Sequence, residues 1–313
     1  MVLHICDVSQ YIYGGSYKHV SIARGVREVD GMYQENWAPI GGVRFLINRL
    51  AELSGPNNIV IPVFDRTPTV KREMYYKAYN SEFGYKGTRK SSGDNAIAIQ
   101  KKYAYDILQK IGYPVQAAEG YEADDVIYTL VQMYKNDFDE IRIHCNDSDL
   151  YFLIGGNVMM DTIGPNIGKV ITERSYPQLV DAKEGGCPYN AYHMRKLCNG
   201  DKSDNIPGIG KEWLERLDSV IPKEKLCELG DLDVCRDYLK KVINKYPDAP
   251  NSSIILSTFN ILMPLRVPEF LINDVEPMID YQKQAYFVSG WVPELDRWGF
   301  EDDLEEYINS YYQ

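Results

Sequence analysis

The sequence predicts an α/β fold with a mainly parallel central sheet flanked by helices, and three observations predict it. Short β-branched runs recur through the first half of the chain, and each is followed at once by an acid or an amide. Segments with apolar residues at helical spacing lie between those runs. Strands alternating with helices give a parallel sheet covered on both faces.

In chain order, residues 2–6 form the first expected strand and lead into Asp7. A helix is expected over 43–53, with apolar side chains at 43, 46, 47 and 50. The second strand, 59–64, leads into Asp65. Helices follow over 96–111 and 123–134, the latter with its apolar stripe at 127, 130, 131 and 134. The third strand, 141–145, precedes Asn146-Asp147. Two further strands, 158–161 and 169–172, flank a turn at Gly164-Pro165-Asn166. Beyond about residue 174 the pattern is mainly helical, with breaks at Gly185-Gly186, Gly200, Pro207-Gly208 and Pro222. Two units are expected: a catalytic α/β domain over 1–180 and a helical part over 181–313.

The 313 residues suffice to bury a core without disulfide staples. A chain that is 44% apolar and 25% charged is neither disordered nor fibrous. No apolar run approaches the ~18 residues that span a membrane. The start of the chain reads as a strand, not a signal peptide. Six scattered cysteines without a Cys-x-x-Cys pair argue against a disulfide scaffold or zinc ribbon and fit a reducing cytoplasm. The net charge of −11 disfavours DNA contact only as an average. Residues 66–94 carry seven basic residues (Arg66, Lys71, Arg72, Lys77, Lys86, Arg89, Lys90) against three acids, interleaved with Tyr75, Tyr76, Tyr79, Phe83 and Tyr85. Rings that stack bases, beside cations that follow phosphates, suit a single-strand channel.

Ligands of open parallel sheets bind outside the carboxyl ends of the strands. Asp7, Asp65, Asp147 and Asp149 fall at such ends, while Glu122, Asp124 and Asp125 fall at a predicted helix start. Asp201 and Asp204 stand three apart in a later turn. Each acid alone could be a helix cap or first-turn acid. Gathered in one cleft they repel, by about 4 kcal/mol per pair at 4 Å and an effective dielectric of 20, and so call for cations. Hard oxygen donors without paired His or Cys select magnesium or manganese. Two such ions about 3.5–4 Å apart support in-line phosphodiester hydrolysis.

Ile5-Cys6-Asp7, Val63-Phe64-Asp65, Glu122-Ala123-Asp124-Asp125, Asp147-Ser148-Asp149 and Gly200-Asp201-Lys202-Ser203-Asp204-Asn205-Ile206-Pro207-Gly208-Ile209-Gly210 occur in the order seen in the 5′-nuclease superfamily, which the chain resembles. That superfamily holds flap endonucleases and 5′→3′ exonucleases. The resemblance is strongest to the stand-alone bacteriophage type, which includes the phage primer-removing ribonuclease H. Residues 260–268 also resemble a C-terminal segment of phage members.

The resemblance implies a PIN-like α/β nuclease with a helical arch and a helix–three-turn–helix. It implies two divalent cations, Mg2+ or Mn2+. Asp7, Asp65, Glu122, Asp124, Asp147 and Asp149 would form the inner metal cluster with Asp125 in support, and Asp201 and Asp204 would complete the outer part. The segment 66–94 would be the arch. Tyr85-Lys86-Gly87-Thr88-Arg89 matches the family's Tyr-Lys-x-x-Arg, which puts Lys86 near the scissile phosphate and Arg89 beside it, with Arg72 as an upstream contact. Lys77, in a second Tyr-Lys pair, is a rival for Lys86. Gly208, Gly210 and Lys211, within a DNA-binding hairpin over 200–217, would grip the duplex backbone through a loop shorter than relatives often carry.

The implied substrates are DNA with 5′ flaps or nicks and RNA–DNA hybrids, handled by a cytoplasmic monomer (in host cytoplasm if viral) without membrane contact. The acidic, aromatic tail either packs on the C-terminal helices or docks a single-strand-binding protein or sliding clamp. Rival functions are a processive double-strand 5′→3′ exonuclease, a PIN-type ribonuclease, for which the chain is long, and a catalytically silent DNA-structure binder. His4, His144 and His193 share no ligand spacing with cysteine and read as structural.

Overall fold

The computed structural model describes residues 1–18, 26–29, 32–35, 41–55, 57–66, 74, 95–110, 112–163, 169–172, 174–175, 192–202, 204, 206–222 and 231–273. Strand β1 (Val2–Asp7) runs into helix α1 (Val8–Lys18), and an antiparallel hairpin of β2 (Val26–Val29) and β3 (Met32–Glu35) follows. Then come α2 (Gly41–Leu53), β4 (Asn58–Val63), α3 (Asn95–Lys110), α4 (Ala123–Tyr134) and β5 (Glu140–His144). A 3-10 turn (Ser148–Leu153) leads to β6 (Val158–Asp161) and β7 (Val170–Ile171). Further α-helices and strands among the described residues are α5 (Tyr192–Asn199), the short strands β8 (Gly200–Asp201) and β9 (Ile206–Pro207), α6 (Trp213–Asp218), α7 (Leu232–Lys245) and α8 (Ile255–Leu262).

The main sheet has the order β4-β1-β5-β6-β7. Its first three pairings are parallel, and β7 closes the edge antiparallel to β6. Side chains alternate across a strand, and here both faces are apolar. Leu3 and Ile5 enter one cluster with Ile61, Val126, Leu130, Ile143, Trp213 and Phe259. Cys6 and Val60 enter the other with Ile12, Leu46, Leu50 and Leu108. The first cluster continues from β1 through α4 into the C-terminal helices, so those helices share its apolar core. The expected boundary near residue 180 lies outside the described residues.

Most expected elements are present, with ends shifted by a residue or two. Two in the first half of the chain were not expected. Helix α1 follows β1 without a loop and contains Gly14-Gly15, a weak helix signal; packing of its Tyr11 and Ile12 with Leu46 and Leu50 outweighs that propensity. The β2–β3 hairpin was not read either. Among the described residues no helix is long and apolar enough to cross a membrane.

Candidate active site

Register decides where the acids fall. Asp7 pairs with Val63, and Cys6 pairs with His144, so β1, β4 and β5 end at one level. The residues that follow those ends are Asp65 and Asn146–Asp149. The start of α4 faces the same end of the sheet, because the backbone amide of Ala123 donates to Asp65 Oδ1 at 3.0 Å.

Asp7 is 5% exposed. Its Oδ1 accepts the Ser9 amide at 2.9 Å, and its Oδ2 lies 3.6 Å from the Cys145 thiol. Burial, and then the negative charge of Asp65, push the Asp7 carboxyl up to about 7. Burial pushes Asp65 the same way, but the Lys101 ammonium, the Ala123 amide and the Ser9 hydroxyl outweigh it and hold Asp65 below its ordinary value. Ser9 Oγ donates to Asp65 Oδ2 at 2.7 Å, and Lys101 Nζ stands 3.3 Å from the same oxygen.

Asp147 caps the 3-10 turn, its Oδ1 accepting the Asp149 amide at 2.9 Å. Asp149 is pushed up to about 6 by burial and by the Asp147 charge, against the opposing pull of Lys196. Lys196, from α5, pairs with Asp149 and stands 2.9 Å from Asp201 Oδ2. The two carboxylates hold this lysine above its ordinary value despite its burial. Asp201 Oδ1 accepts the Asp204 amide at 3.3 Å. Burial, and the charges of Asp7, Asp124 and Asp147, keep the Cys145 thiol protonated.

Asp124 is half-buried in the first turn of α4, and Glu122 is the buried N-cap. Asp125, expected to support the inner metal cluster, is held by backbone on both oxygens. Its Oδ2 accepts the Glu122 amide at 2.9 Å, and its Oδ1 accepts the Leu265 amide at 2.7 Å. Both oxygens are thus taken by backbone, and Asp125 fastens the C-terminal segment to α4. Thr129 repeats the fastening one turn on, its Oγ1 accepting the Val267 amide at 2.8 Å. These contacts give residues 260–268, singled out in the sequence, a structural role.

The glycine hairpin is built by close backbone approach. A Cβ on Gly208 would stand 2.1 Å from the Cys198 carbonyl oxygen, and one on Gly200 would stand 2.3 Å from the Gly208 nitrogen. Only glycine fits either position. Asn251 Nδ2 donates to the Ile209 carbonyl at 2.9 Å, and Trp213 Nε1 donates to the Pro250 carbonyl at 2.9 Å, so the turn after α7 braces the hairpin. Lys211 is exposed just beyond it.

Of the expected arch, Arg66 is described, its guanidinium 4.9 Å from the Tyr105 ring centre. Arg72, Lys77, Tyr85, Lys86 and Arg89 lie outside the described residues. His4 and His144 face each other, nitrogen to nitrogen, at 2.9 Å on the opposite face of β1 and β5, and burial holds both below the ordinary histidine value. His193 is buried against Cys235. The four described cysteines are free and buried. Sequence reasoning missed Ser9, Lys101, Cys145 and Lys196. Their one sequence signal is proximity to an acid or its strand; Lys101 has not even that.

Among the described residues no three His, Cys, Asp or Glu side chains already enclose a point where one ion could sit. The donor chemistry nevertheless fits divalent cations. The converging donors are carboxylate oxygens, and two ammonium groups already answer their charge.

The site is thus a set of carboxylates converging at the strand ends of a mainly parallel α/β sheet, beside a glycine hairpin. Residues 2–183 match the family described as 5′-3′ exonuclease, N-terminal resolvase-like domain, and the chain belongs to it. The relatives named 5′-3′ exonuclease are phosphodiester hydrolases. The chain is 29% identical over 260 residues to a 5′-3′ exonuclease of Aquifex aeolicus, covering 82% of this chain and 79% of that one. It is 28% identical over 226 residues to a DNA polymerase I of Caldicellulosiruptor bescii, covering 71% of this chain and spanning 25% of that protein's length. A solved complex of the bacteriophage T5 D15 flap endonuclease with DNA and metal ions shares the fold at TM-score 0.51 and 15% identity, with 99% of this chain and 97% of that chain covered.

Proposed function

We propose that this protein is a metal-dependent, structure-specific 5′ nuclease, acting as flap endonuclease and 5′→3′ exonuclease on branched or nicked DNA and removing RNA primers or flaps in replication. One observation carries the reading: acids from separate elements meet at one end of the sheet, with Asp7 held above its ordinary value by burial and the charge of Asp65, and Asp149 by burial and the charge of Asp147. Such a cluster is unstable without added positive charge.

The residues proposed to hold divalent cations, Mg2+ or Mn2+, are Asp7, Asp65, Glu122, Asp124, Asp147, Asp149, Asp201 and Asp204, with Asp125 in support. Bound ions supply Lewis acidity, polarising the scissile phosphate and lowering the pKa of the attacking water. The chain's own groups prepare for this. Ser9 and the Ala123 amide fix the orientation of Asp65, and the Ser9 amide and Cys145 fix that of Asp7. Lys86 and Arg89 are proposed to reach the phosphate from the arch, with Arg72, Lys77 and Tyr85 contacting the strand. Gly208, Gly210 and Lys211 are proposed to hold the duplex backbone, which positions DNA without reading its sequence. The protein is proposed to act as a monomer in the cytoplasm, with a single-strand-binding protein or sliding clamp as partner.

Product mapping tests this reading. A 5′-labelled flap, a nicked duplex and an RNA-primed duplex are each incubated with protein and Mg2+. Short 5′ oligonucleotides released from the flap support it. Mononucleotides alone, from duplex ends, would point to a processive exonuclease, and binding without any product to a silent binder.

A further inference from the structure

At each end of the acid cluster an ammonium group occupies a carboxylate. Lys196 spans Asp149 and Asp201. Lys101, which belongs to no motif of the chain, stands 3.3 Å from Asp65 Oδ2. Its helix α3 follows the segment 66–94 and packs on α1 and α2 through Ile97, Ala104 and Leu108, so its backbone is fixed while its long side chain reaches across to the strand end. That side chain is 29% exposed, and Nζ lies 6.0 Å from the ring centre of Tyr13. Asp65 Oδ2 already accepts the Ser9 hydroxyl, and Oδ1 already accepts the Ala123 amide. With Lys101 added, Oδ2 carries both a hydroxyl donor and an ammonium cation, and Oδ1 a backbone amide.

We propose that Lys101 is a built-in competitor for the divalent cation at the Asp7–Asp65 end of the site. This rests on the reading of the cluster as a metal site. In the metal-free protein the ammonium neutralises Asp65. A divalent ion that takes Asp65 Oδ2 displaces it, since two cations on one carboxylate oxygen repel each other strongly at this range. The lysine therefore sets the cation concentration at which this end fills, and it delays filling until the ion is abundant. A lysine serving only to hold Asp65 in place would act in the opposite sense, because its loss would loosen the carboxylate and weaken metal binding.

The test is Mn2+ binding to the full chain without DNA, followed by the loss of the free-ion electron paramagnetic resonance signal. Lys101→Met keeps an unbranched side chain of similar length and removes the charge. It is expected to tighten Mn2+ binding roughly tenfold at the Asp7–Asp65 end, from removal of one neighbouring positive charge. Lys101→Arg should bind as the wild type does. In an Asp65→Asn background, Lys101→Met should produce no tightening, because the oxygen being contested has lost its charge. Circular dichroism confirms that each variant is folded. Mn2+ binding by Lys101→Met that is unchanged or weaker than wild type overturns the proposal and leaves the metal site standing. No Mn2+ binding by wild type or variants overturns both.

Discussion

The Cys145 thiol lies 3.6 Å from Asp7 Oδ2, and the same sulfur accepts the backbone amide of Asp147 at 3.3 Å. One buried side chain thus joins the end of β1 to the turn after β5, and it holds two cluster acids in relation to each other. Cys145→Ala leaves both groups without this partner. An unmade hydrogen bond in a buried site costs about 1–3 kcal/mol. The variant is expected to lose that much stability in urea unfolding and to need more Mg2+ for half-maximal flap cleavage. Cleavage with an unchanged Mg2+ dependence would show that Asp7 is held well enough by Ser9 alone.

Asp147 has two duties, as a cap of the 3-10 turn and as a proposed metal acid. Asp147→Asn keeps a capping oxygen and removes the charge. Single-turnover cleavage of a 5′-labelled flap in Mg2+ should fall by roughly 100-fold or more, on the scale of losing one electrostatic contributor to a transition state. Flap binding measured by fluorescence anisotropy should hold or tighten, since a charge repelling phosphate is gone. Near-wild-type turnover would remove Asp147 from the catalytic set.

The cluster also gives the metal-free protein a pH dependence. Asp7 is held near 7, above the ~4 of an unfolded aspartate. The folded state therefore binds this proton more tightly than the unfolded chain does. The stabilisation is fully present below about pH 4 and is lost as the pH rises through 7. With chelator present, Asp7→Asn should gain stability over wild type between pH 4 and pH 8, by up to on the order of 4 kcal/mol. Added Mg2+ should shrink the gain. Thermal unfolding of both proteins across this range, with an unchanging difference between them, would contradict the raised value.

Asp125 should behave as a structural residue. Asp125→Ala leaves the buried amides of Glu122 and Leu265 without their acceptor. About 3 kcal/mol of stability should be lost in urea unfolding. The folded fraction should still bind Mn2+ with wild-type stoichiometry. Loss of one bound ion at unchanged stability would instead return Asp125 to the metal acids.

The order of elements was legible from the chain because burial on both faces leaves an unmistakable pattern of β-branched runs and spaced apolar helices. Residues 158–161 and 123–134 were read with the bounds that the fold has. Helix α1 was not, because Gly14-Gly15 hides a helix that owes its stability to Leu46 and Leu50 across a contact between elements. The acids were legible as well, since a polar residue ending an apolar strand is a local feature of the sequence. Tertiary structure alone decided how they divide. The pairing of Asp7 with Val63 and Cys6 with His144 brought the strand ends level. The Leu265 amide, 140 residues away, claimed Asp125. Lys101 and Lys196 reached Asp65, Asp149 and Asp201 from helices with no motif to mark them. Sequence spacing fixes which face of an element a side chain occupies. It does not fix which distant donor will reach that face, because that depends on packing distances to which the whole core contributes.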